Sequence, residues 1–124
     1  MCLKALDGID ETGDIDDIIK SIKYAEENGS SICCLGFSSN KYNEELKKVM
    51  SNSNMLFVVA AGNESEDLDK VCNTYPACYH LDNVITVGDI RCDGNISLTS
   101  NYGENTVDLF APGTDIVSTI RDNK

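Results

Sequence analysis

The tightest constraint on this chain is the run Phe57-Val58-Val59-Ala60-Ala61, which stops abruptly at Gly62-Asn63. It is far too short to cross a bilayer. Being apolar without alternation, it suits a strand buried on both faces, as strands of parallel sheets are. Such a strand delivers whatever follows it to the C-terminal edge of the sheet, where open α/β proteins hold their ligands. Asn63 therefore arrives at that edge with a carboxamide able to donate two hydrogen bonds.

The surrounding sequence alternates strand and helix. Cys2 to Leu6 reads as a short strand, and Asp7 to Gly13 as an acidic loop. Asp14 is placed to cap a helix, with Asp16 and Asp17 in the first turn, where the helix dipole favours anions. Ile15, Ile18, Ile19, Ile22 and Ala25 recur at helical spacing, and Gly29 supplies the stop. Ser31 to Leu35 is the next strand, in which Cys33 and Cys34 serve as small buried hydrophobes. A second helix is expected from about Asn40, with Tyr42, Leu46, Val49 and Met50 on one face and a Glu44–Lys48 pair on the other. The strand from Met55 to Ala61 follows. Beyond it come an acidic helical turn over Glu64 to Lys70, a strand from Val84 to Val87 ended by Gly88, and a turn at Asp93-Gly94-Asn95. Val107 to Phe110 and Ile116 to Ile120 read as later strands. This order predicts an α/β fold with a parallel sheet, in one unit spanning residues 1–124.

Charge and cysteine usage narrow the chemistry. Ten Lys and Arg against 21 Asp and Glu give a net charge of −11. That excludes phosphate-backbone binding, so no nucleic-acid partner is expected, and it disfavours anionic membranes. No apolar run is long enough for membrane insertion. None of the six cysteines forms a C-x2-C pair, so no metal centre is expected. Cys72 and Cys78 flank Tyr75-Pro76 and are placed to bridge in an oxidising compartment.

Five blocks carry a resemblance: Phe57 to Asn63, Tyr75-Pro76, Val84 to Gly88, Ser100-Asn101-Tyr102-Gly103, and Val107 to Gly113. In this order they resemble the central part of the catalytic domain of subtilisin-like serine proteases, peptidase family S8. The resemblance implies a three-layer α/β sandwich with a mainly parallel sheet, here incomplete. Residues 1–124 would be the central part of a single catalytic domain, without the flanking segments that carry the triad. Asn63 takes the position of the oxyanion-hole asparagine. Ala60, Ala61 and Gly62 match residues that wall the pocket for the substrate side chain before the scissile bond. Glu64 matches a position near the pocket floor that influences charge preference, a solvated loop acid being the other reading.

The second substrate wall is expected after the Ser31 strand, where the family reads Leu-Gly. Either Leu35-Gly36 or Phe37-Ser38 fits, with cysteine replacing the usual polar residue in both registers. Tyr75-Pro76 resembles a turn whose peptide bond is often cis. The nearby carbonyls of Ala77 and Tyr79 match a weak cation site of some members. Calcium is thus an expectation for the complete domain, beside the reading of an ordinary turn, and no cofactor is required.

His80 is the one histidine, but it lies outside a His-Gly-Thr motif and is expected to be structural or solvent-facing. Neither Gly-Thr-Ser-Met-Ala nor Asp-Ser-Gly occurs in these residues. The resemblance therefore implies a segment of an endopeptidase acting on polypeptides, inactive alone, whose partners are the missing parts of its own domain. Those parts would cover apolar surface that is left open here. A truncated or pseudo-protease acting as a peptide-binding or structural module is the alternative. The family resemblance favours the secretory pathway.

Overall fold

The structure is a computed structural model describing residues 1–6 and 13–119. Helix α1 (Ile15–Glu27) starts where Asp14 accepts a hydrogen bond from the Asp16 N–H at 3.0 Å. Its buried face is the predicted set of Ile18, Ile19, Ile22 and Ala25, and the chain leaves it through Gly29 at φ 82°. Strand β1 (Ile32–Leu35), helix α2 (Glu44–Asn52) and strand β2 (Leu56–Ala60) follow. A 3-10 turn (Ala77–Tyr79) precedes strands β3 (Val84–Ile90) and β4 (Leu109–Pro112).

All four strands are parallel, in the order β1-β2-β3-β4. The register aligns Cys33 with Phe57, Val59 with Thr86, and Gly88 with Phe110, so these side chains share one face of the sheet. That face is covered. Phe57 and Val59 lie in one core with Ile18, Ile19 and Ile22 of α1 and Leu46 and Met50 of α2. The other face carries Ile32, Cys34, Val58, Ile85, Val87 and Leu109. There Val58, Ile85 and Val87 are half-buried, while Ile32 is 63% and Leu109 45% exposed. Among the described residues no helix lies over it, so two of the three expected layers are present.

Several expectations are corrected. Cys2 to Leu6 forms no strand; it runs beside β1, and only Ala5 and Leu6 pack on the core. Because β1 is left at the sheet edge, Cys33 is half-buried and Cys34 exposed. Helix α2 starts at Glu44, where Asn43 caps it by accepting from the Leu46 N–H at 2.8 Å. Tyr42 thus lies outside the helix and packs edge-on against Tyr75 and Tyr79. Glu64 to Lys70 forms no helix, because the Glu64 and Glu66 N–H groups donate to the Asn101 carboxamide and Leu68 N–H to Tyr102. Strand β3 continues through Gly88 to Ile90. Residues 116–119 are not a strand, with Val117 almost fully exposed, and Ile120 lies outside the described residues, as does most of the acidic loop.

Candidate functional site at the sheet edge

The C-terminal ends of the strands converge on a cleft of about 450 Å³. Strand β2 is held there by the Ala61 N–H, which donates to the Val87 carbonyl at 2.9 Å. Gly62 then turns the chain at φ 99° and presents Asn63 at the rim. Asn63 is exposed, and its carboxamide bonds to no other described residue. Gly36, from the end of β1, faces Ala60, Ala61, Gly62 and Asn63 across the cleft. Val87 to Asp89, Ser100 and Ala111 to Gly113 form the far side.

The sequence-derived site residues divide accordingly. Gly36, Ala60, Ala61, Gly62 and Asn63 come together. Leu35 does not; it is buried in the core. Phe37 turns the other way, into an apolar groove shared with Met1 to Leu6 and α1. Of the two registers, Leu35-Gly36 is therefore the one that brings a residue to the cleft. Glu64 does not line it either. Its Oε2 accepts from the Asn63 N–H at 3.0 Å and from Asn101 Nδ2 at 2.6 Å.

Asn101 is the residue that sequence reasoning missed. Its side chain is fully buried, and Oδ1 accepts from the N–H groups of Glu64 at 3.0 Å and Glu66 at 2.9 Å. Nδ2 also donates to the Ala61 carbonyl at 2.9 Å, and the Asn101 N–H to the Gly62 carbonyl at 3.0 Å. Nothing local in Ser100-Asn101-Tyr102-Gly103 signals these partners, which lie some 35 to 40 positions upstream.

Two carboxylates tie down loops, and of these Asp89 lines the cleft. Asp89 Oδ2 accepts from the Thr114 hydroxyl at 2.7 Å, and this bond chiefly holds its carboxyl below the usual range. Asp69 is pulled down to about 2 by the Asn105 N–H first and the Thr106 hydroxyl next, which fastens residues 105 and 106.

The Tyr75–Pro76 bond is cis. Tyr75 exchanges backbone bonds of 2.8 and 2.9 Å with Ser39, tying this turn to the segment after Gly36. Cys72 and Cys78 form a disulfide, with Cα atoms 5.6 Å apart. His80 is exposed, away from the cleft, with Nε2 3.4 Å from Cys72 Sγ. The 3-10 turn offers the Ala77 and Tyr79 carbonyls, and no group of His, Cys, Asp or Glu suited to a metal occurs among the described residues.

A parallel sheet with small residues and a free carboxamide at its C-terminal edge has the layout of an α/β ligand site. A sequence profile of the subtilase family matches residues 3–124. An intracellular serine protease of Paenibacillus polymyxa is 38% identical over 118 residues, covering 91% of this chain and 35% of its own length. The major intracellular serine protease of Bacillus subtilis is 33% identical over 128 residues, covering 100% of this chain and 39% of its own length. Among solved structures, a lanthipeptide protease superposes with a TM-score of 0.72 at 25% identity, over 89% of this chain and 36% of that one. The chain belongs to the subtilase family of serine proteases, and it spans 35% to 39% of the length of the two relatives described.

Proposed function

We propose that this chain provides the oxyanion-binding amide and one substrate wall of a serine endopeptidase. The observation that carries this reading is the placement of Asn63: an unengaged carboxamide at the end of β2, on the rim of a cleft lined by Gly36 and Ala60 to Gly62. In the complete domain a serine hydroxyl attacks the peptide carbonyl while a histidine takes its proton. Negative charge then gathers on the former carbonyl oxygen, where the Asn63 side-chain Nδ2–H donates to it. The histidine gives that proton to the departing amine as the intermediate collapses to an acyl-enzyme, which water then hydrolyses.

The substrate is an extended polypeptide, with Gly36 and the small residues of β2 leaving room for its backbone and one side chain. These 124 residues contain no Gly-Thr-Ser-Met-Ala and no His-Gly-Thr, so the chain alone hydrolyses no peptide. Calcium takes six to eight oxygens, so the Ala77 and Tyr79 carbonyls make a site only with ligands from elsewhere in the complete domain.

The test is Asn63→Ala in the protein that carries this chain, assayed on a chromogenic peptide. The expected loss is roughly 10²–10³ in kcat, with KM changed by less than about threefold. That reference value comes from a subtilisin itself and is carried over. A kcat within about threefold of the parent overturns the reading.

A further inference from the structure

We infer that Asn101 is a positioning residue for the Asn63 amide, acting through Glu64; this rests on the oxyanion reading of Asn63. The bonds of Asn101 reach Ala61, Gly62, Glu64 and Glu66 on either side of Asn63, and none reaches Asn63 itself. What ties Asn63 is its own N–H, which donates to Glu64 Oε2, the same oxygen that Asn101 Nδ2 holds at 2.6 Å. The orientation of Asn63 is thus set at one remove: Asn101 fixes the Glu64 carboxylate, and the carboxylate fixes the Asn63 backbone.

Chemistry gives this arrangement its use. An oxyanion donor stabilises developing charge only if it is already aimed when the charge appears. An exposed asparagine on a turn is otherwise free to swing. A buried carboxamide with its donor and acceptor groups engaged is among the stiffest supports available. The same geometry assigns Glu64 a part within the turn, with its charge directed at Asn101 and the Asn63 N–H.

The test uses the protein that carries this chain. Asn101→Asp keeps the shape of the side chain but sets an oxygen against Glu64 Oε2 and the Ala61 carbonyl. A proton shared between the two carboxyls relieves the first of these clashes. The expected result is a kcat about 10- to 100-fold below the parent at pH 8, with KM within about threefold. The ratio to the parent should recover as pH falls toward 5.

Adding Glu64→Gln to N101D removes one of the two facing negative charges. That should flatten the pH dependence and regain at least about threefold at pH 8. Glu64→Ala, at an exposed residue, should lower kcat about 3- to 10-fold without altering KM.

N101D matching the parent at every pH, a rise in KM in place of the kcat loss, or a silent E64A each overturns the inference. Should Asn63→Ala leave kcat intact, the oxyanion reading fails separately. The lock is then read from amide exchange at Asn63 and Glu66, which N101D should speed at least tenfold while the amides of Val59 and Val87 stay protected. Unchanged exchange, or loss of protection across the sheet as well, overturns it.

Discussion

At Gly62 the backbone takes φ 99°, and a Cβ built there would lie 2.5 Å from Asn101 Nδ2 and 2.6 Å from Glu64 Oε2. Both the conformation and the space call for glycine. Gly62→Ala should therefore destabilise the protein by about 1–3 kcal/mol, read from the urea midpoint; an unmoved midpoint would mean that the turn relaxes freely. Asp69 makes a pH-dependent contribution of definite sign. Its carboxyl lies at about 2 in the fold against an ordinary 3.8, so its contribution is complete above pH 4 and lost as pH falls from about 4 to 2. Asp69→Asn should remove that part of the acid transition, followed through amide exchange at Asn105 and Thr106; an acid profile identical to the parent's would sink the assignment. The place of Asn63 at the sheet edge was legible in the sequence because an apolar run ends there. Asn101 was not, because the partners that give a polar residue its meaning stand far away along the chain.

At the scale of elements, the most consequential clamp is the Cys72–Cys78 bridge. It closes a loop of sequence separation 6 around Tyr75, whose backbone pairs with Ser39 just beyond Gly36. Loop closure of this length is worth about 2 kcal/mol in the chain-entropy account. The paired change Cys72→Ser with Cys78→Ser should lower stability by that amount. Adding a reductant should do the same to the parent and nothing to the variant. Equal reductant sensitivity in both would place the effect elsewhere. The elements read correctly from sequence carry two signals at once: α1 has helical spacing and an Asp14 cap, while β2 has an apolar run and a Gly-Asn stop. The elements misread rested on one. Ile116 and Val117 have strand propensity but no neighbouring strand among the described residues, and Val117 is almost fully exposed. Glu64 to Lys70 has helical composition, but its amides are bonded by Asn101 and Tyr102. Cys33 and Cys34 read as buried because the strand was placed inside the sheet, whereas β1 stands at its edge.

Across the whole molecule two surface properties oppose each other. One face of the sheet, with Ile32, Val58, Ile85, Val87 and Leu109, has no covering layer among the described residues, and β1 pairs with no further strand among them. Apolar surface of this kind drives association. Against it stands a net charge of −11, which keeps copies apart through long-range repulsion. Salt acts on one of these terms far more than on the other. Going from about 0.01 to 0.15 M shortens the screening length from about 30 to 8 Å, while burial of apolar area is little changed. The 124-residue chain should accordingly be most nearly monomeric at low ionic strength and self-associate as salt is added, with a hydrophobic dye bound to the open face in the monomer. Sedimentation velocity across a salt series checks this. A monomer at every salt concentration, melting sharply and binding no dye, would show that the open face is closed in solution.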